Sequence, residues 1–102
     1  MKSAPVHLNS EAWLFHAILN ASLEAPADRN RIVAVADHYN RAVLTQDELE
    51  GGLKRLTEAG WVLKEGFSFS GTERARVAYV RIQREQLNCF EEMDRLQKLL
   101  EN

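Results

Sequence analysis

The chain has 102 residues, 45% hydrophobic and 27% charged, with 13 lysines and arginines against 15 acids for a net charge of −2. That length makes one domain with a single core and excludes an enzyme built from separate cofactor and substrate domains. The slight negative charge argues against a general attraction to nucleic acid or anionic membrane, and the single cysteine rules out an intramolecular disulfide and fits a reducing, cytoplasmic setting.

Residues 1–9 read as a flexible leader, with Pro5 and polar neighbours and without the apolar stretch of a signal peptide. No apolar run approaches the roughly 20 residues that span a bilayer, so no membrane partner is expected. Ser10 reads as an N-cap for a helix over Glu11–Leu23. Leu14, Ala17, Ile18 and Ala21 have helical spacing, yet Trp13, Phe15, Leu19 and Leu23 place apolar surface on the other sides too. A helix apolar nearly all round must be enclosed by protein. Pro26 and Ala27 end it, and Asp28 caps a second helix whose apolar face is Ile32, Val35, Ala36 and Tyr39. Asp37 and Arg41 form an i, i+4 pair on that helix.

Thr45-Gln46-Asp47-Glu48 is a capping box, with Leu44 and Leu49 in staple positions. It starts a third helix, Gln46–Ala59, with Leu49, Leu53 and Leu56 as its buried stripe and Gly60 as a left-handed cap. Gly51 and Gly52 in its middle each cost about 1 kcal/mol relative to alanine, which close packing would justify. Trp61–Lys64 and Phe67–Phe69 read as two short strands joined at Glu65-Gly66, a hairpin that must rest on the helices.

Ser70 then caps a final helix over about Gly71–Leu100. Val77, Tyr79, Val80 and Ile82 also suit a strand, but the pattern beyond them is helical. Ala75, Tyr79, Ile82, Gln86, Cys89, Met93, Leu96 and Leu100 step by three and four, which is a heptad, coiled-coil seam. Glu91–Arg95 and Asp94–Lys98 are acid-before-base pairs on its outer side. So long an apolar helix outruns one small domain, and the expected cover is a second copy. The expected homodimer interface is Trp13, Phe15, Tyr79, Ile82, Cys89, Phe90, Met93, Leu96 and Leu100.

This order of elements resembles the winged helix-turn-helix. Leu44–Phe69, "LTQDELEGGLKRLTEAGWVLKEGFSF", looks like the third helix and wing of PadR- and MarR-type regulators, and "FSFSGTER" is similar to their passage from the wing into the last helix. The resemblance implies a mainly α (α+β) fold: a winged-helix domain over 10–70 with a short two-stranded wing, then a dimerisation helix over 71–102. It implies a homodimeric transcription regulator that places its third helix in the major groove of double-stranded DNA. Lys54, Arg55, Lys64 and Arg41 are then the expected DNA contacts.

The third helix departs from that pattern, because Asp47, Glu50 and Glu58 share its exposed side with Gly51 and Lys54, and a carboxylate facing phosphates is repelled. A second reading therefore stands beside the first: a winged-helix module that engages another protein. Arg29, Arg31, Arg74, Arg81 and Arg84 read either as DNA-backbone contacts or as solvated surface. His7, His16, His38 and Cys89 show no metal-ligand spacing, and Gly51-Gly52 is no phosphate loop, so no cofactor, metal or enzymatic activity is expected. His16 reads as a core or interface histidine. Cys89 reads as a small buried residue, or as a redox link between subunits. Trp13, Phe15, Tyr79 and Phe90 read as core, or as the lining of a pocket between the first and last helices.

Overall fold

The computed structural model describes residues 5–40 and 44–101, with side chains described from Ser10 onward except at Asn40. The elements run α1 (Pro5–Ala21), β1 (Ala27–Asp28), α2 (Arg29–Asn40), α3 (Gln46–Glu58), β2 (Val62–Glu65), β3 (Ser68–Gly71), α4 (Glu73–Gln83) and α5 (Cys89–Leu100). The protein is mainly helical with one small antiparallel sheet, an α+β arrangement.

Helix α1 is the centre of the core, and every side chain from Ala12 to Leu19 is buried. It starts at Pro5, five residues before the expected cap, because proline is tolerated in a first turn where its missing N–H is not needed. Ser10 is therefore inside the helix, where its hydroxyl donates to Glu48 Oε2 of α3 at 2.8 Å. Residues 5–9 of the expected leader are helical. The helix ends at Ala21, two residues early, and the Ser22 hydroxyl donates back to the Ile18 carbonyl at 2.6 Å. Trp13 satisfies its buried indole N–H on the Ala36 carbonyl of α2 at 2.8 Å.

The sheet has three strands in the order β1-β3-β2, not two. Val62–Glu65 pairs with Ser68–Gly71, and the added edge is Ala27 opposite Phe69 and Asp28 opposite Ser68. A two-residue strand has no alternation to read, so β1 leaves no periodic signal. The Asp28 side chain still caps α2 as expected, accepting from the Arg31 amide at 2.9 Å. Helix α3 keeps its capping box, with Thr45 Oγ1 accepting from the Glu48 amide and Glu48 Oε1 accepting from the Thr45 amide. It closes on a Schellman motif: the Gly60 amide donates to Thr57, the Trp61 amide donates to Leu56, and Gly60 has φ +84°. That closure delays the hairpin strand to Val62.

The expected single helix over 71–100 is two helices. Arg76–Gln83 is helical, but α4 stops at Gln83, Gln86 takes φ +58°, and α5 restarts at Cys89. Asn88 starts it with a second capping box, accepting from the Glu91 amide at 2.8 Å while Glu91 Oε1 accepts from the Asn88 amide at 3.1 Å. Glu91 is thus taken by the cap, and Arg95 pairs with Glu85 at 3.0 Å; the Asp94–Lys98 pair forms at 3.5 Å. The break lets α5 fold back along α1, and Met93 and Leu96 enter the same core cluster as Trp13 and Phe15.

The heptad seam is therefore not continuous, and much of the apolar surface expected to need a second copy is covered within the chain itself. Of the nine expected interface residues, Trp13, Phe15, Tyr79, Ile82, Met93 and Leu96 are buried within the chain itself. Cys89 and Leu100 are half-buried, and Phe90 is exposed. The alternative reading of Trp13, Phe15, Tyr79 and Phe90 as the lining of one pocket is not what their contacts support. Phe15 packs on Trp61 at 5.8 Å between centroids, Tyr79 turns into a polar cluster, and Phe90 points to solvent.

Candidate functional site

The exposed side of α3 and the hairpin form a cleft of about 300 Å³ lined by Arg29, Glu50, Lys54, Glu58 and Lys64 over Leu53 and Phe69. Arg29, from the start of α2, holds Glu50 with two bonds, Nε to Oε2 at 2.7 Å and Nη2 to Oε1 at 3.0 Å. Its guanidinium also sits 5.1 Å from the Phe69 ring centroid. This paired geometry keeps the Glu50 carboxyl below its ordinary range and the Arg29 guanidinium above its own, the hydrogen bond between them being the main cause.

The expected cationic contacts divide. Arg55 reaches across to α1, donating from Nε to Glu11 Oε1 at 2.5 Å, so its charge is spent on a helix–helix clamp. Lys54 and Lys64 are exposed and line the cleft together. Arg41 lies outside the described residues, as does its expected pairing with Asp37. From Gln46 to Glu65 the carboxylates of Asp47, Glu48, Glu50, Glu58 and Glu65 stand against Lys54, Arg55 and Lys64, five negative charges to three positive. Phe67, in the hairpin turn beside Glu65, is 85% exposed, and Leu63 on β2 is 48% exposed. Arg74 stacks 3.6 Å over the Trp61 ring, and Arg31 donates to the Ala21 carbonyl at 3.2 Å. Of the five surface arginines noted in the sequence, only Arg81 and Arg84 make no such contact among the described residues.

A second polar constellation lies inside the protein. The Tyr79 hydroxyl donates to Glu92 Oε1 at 2.7 Å, and His16 Nε2 lies 2.9 Å from the same oxygen. Asn20 Nδ2 donates to the Tyr79 hydroxyl and to the His16 carbonyl, both at 2.9 Å. Burial pushes His16 below its ordinary value, more than the Glu92 carboxylate raises it. The contact is therefore a hydrogen bond from a neutral imidazole with its proton on Nε2, which leaves Nδ1 as a buried, unpartnered acceptor. Burial likewise pushes the Tyr79 phenol up, and its bond to Glu92 adds to the shift. The Tyr39 ring packs edge-on against His16 at 4.8 Å. The cluster ties α5 to α1 and α4 and has the character of a structural lock.

The sequence marks His16 as a core or interface residue, and the structure places it in the core, with Asn20, Tyr79 and Glu92 as partners that no sequence pattern named. Glu92 is 76 residues from His16, and no local pattern links them. Among the described residues no group of three His, Cys, Asp or Glu side chains is placed to hold a metal ion, and no helix is long and apolar enough to cross a membrane. No family model, curated protein sequence or solved structure matches this chain.

Proposed function

We propose that this chain is a winged-helix module that recognises another protein. The order of elements supports the fold reading: a short strand between α1 and α2, a capped α3, then a hairpin whose inner strand pairs with that first strand. One observation carries the functional reading. The side of α3 that would meet phosphates carries Asp47, Glu50 and Glu58 beside its lysines, and two nearby arginines, Arg29 and Arg55, are already held by Glu50 and Glu11. DNA affinity rests on net cation–phosphate contacts, and this face offers chiefly Lys54 and Lys64. An exposed phenylalanine at the hairpin tip suits apolar contact with protein.

Double-stranded DNA is the second reading, favoured by Lys54 and Lys64 lining one cleft beside α3. Fluorescence anisotropy with a labelled mixed-sequence duplex of about 20 base pairs at low salt, on the order of 25 mM, separates the two. The protein-recognition reading expects no retention at micromolar chain. Binding that weakens steeply with added salt and is lost in Lys54→Glu would make the chain a DNA reader.

A further inference from the structure

The outer side of α4 combines arginines, with Glu73 as its one carboxylate, and apolar side chains without cover. Val77 and Val80 are 48% and 45% exposed. With Arg81 and Arg84 they fall at i, i+3, i+4 and i+7, one face of the helix. Together with Arg76 they line a shallow groove of about 410 Å³. The Arg76 side chain donates only to the backbone carbonyls of Gly71 and Ser22, and the Arg81 and Arg84 side chains make no hydrogen bond or ion pair among the described residues. Arg76 and Val80 also line the neighbouring groove, which adds Leu23, 64% exposed. The result is an apolar strip, Leu23–Val80–Val77, rimmed by three arginines on a chain whose net charge is −2.

Nothing in the core uses these groups. The buried side of α4 is Ala75, Tyr79 and Ile82. We infer that the outer face of α4 is a docking groove for an acidic amphipathic helix of another protein. This rests on the protein-recognition reading above and names its surface and its partner's chemistry. Apolar side chains at helical spacing would cover Leu23, Val80 and Val77, and flanking carboxylates would meet the arginine forks. A phosphate backbone would find the centre of this strip without a donor. A second copy seated by the same face would set arginine against arginine, since a two-fold contact is self-complementary.

The test uses the full chain and a fluorescein-labelled synthetic helix with leucines at i, i+3, i+4 and i+7 flanked by glutamates. Saturable binding is expected, weakened about tenfold or more by Val80→Glu and by Arg81→Glu/Arg84→Glu, with circular dichroism unchanged because all three sites are exposed. Peptides with lysine for glutamate, or serine for leucine, should bind correspondingly weaker. Equal binding of the serine peptide would overturn the proposal, because charge alone would then suffice. So would co-sedimentation with phosphatidylserine vesicles that Val80→Glu abolishes, or a dimer in sedimentation equilibrium that the same variant dissolves. The duplex measurement keeps the two failures apart. Absent peptide binding with absent duplex binding overturns the groove alone, whereas salt-sensitive duplex binding through Lys54 overturns the protein-recognition reading.

Discussion

Adjacent glycines in α3 provide a matched pair for testing how closely α3 approaches α1. A Cβ built on Gly52 meets Leu14 Cδ2 at 2.4 Å, and Leu14 is fully buried in the core. A Cβ on Gly51 meets only the Arg55 guanidinium, at 3.1 Å, on a side chain 57% exposed. Both substitutions to alanine gain the same helix propensity, about 1 kcal/mol. Gly52→Ala also carries an overpacking cost of about 1–3 kcal/mol. Displacing Arg55 disturbs an ion pair worth at most about 1 kcal/mol. The propensity gain cancels in the comparison, so Gly51→Ala should be the more stable of the two, by up to about 3 kcal/mol, and each 1 kcal/mol of that difference raises its melting point by roughly 4–8 °C in a domain of this size. Urea and thermal unfolding followed by circular dichroism measure this directly. A Gly52→Ala protein that melts with or above Gly51→Ala would refute the close contact between α3 and α1.

Three further outcomes follow from the same structure. Gln86→Gly should stabilise by about 1 kcal/mol, since Gln86 has a left-handed φ of +58°; in a continuous helix the same change would destabilise by about as much, so the sign of the urea-midpoint shift distinguishes the two tails. His16 has its folded value below the ordinary 6.5, so unfolding takes up a proton; stability should be full above pH 6.5 and fall as pH drops below it, a decline absent in His16→Gln. Tyr79 has its folded value above the ordinary 10.0, so the folded state keeps a proton that the unfolded chain releases; stability should fall as pH rises past 10, and urea titrations of Tyr79→Phe should lack that fall while costing about 1–3 kcal/mol at neutral pH.

Helix α3 was legible because its signals are local. Thr45 and Glu48 are three residues apart and announce α3, and Gly60 announces its end. Three differences lie at caps, where a polar residue beside apolar periodicity is ambiguous: Ser70 belongs to β3, and Thr72 caps α4 in its place, accepting from the Ala75 amide at 3.3 Å. Ser10 resembles a cap but finds its partner in Glu48 of another helix. Asn88, with Glu91 three residues on, is a real capping box, yet the three-four spacing from Ala75 to Leu100 runs straight through it. That spacing holds on both sides of a break, so periodicity alone cannot show the break. The candidate surfaces were legible only as oddities. Glu50 and Glu58 stood out as acids where a DNA reader needs cations, but the Arg29–Glu50 and Arg55–Glu11 pairs span 21 and 44 residues and leave no sequence mark. Val77 and Val80 registered as strand-like residues in a helix; their exposure, beside three arginines, gives those valines a reason to be there.

Docking on α4 and the absence of DNA reading by α3 can be followed together in backbone amide spectra of the ¹⁵N-labelled chain, titrated in turn with the acidic leucine helix and with the duplex at low salt. The peptide should shift Arg76, Val77, Val80, Arg81 and Arg84, while the duplex should leave Asp47–Lys54 and Lys64 unmoved. Duplex-induced shifts along α3 and the hairpin, with α4 silent to the peptide, would contradict both.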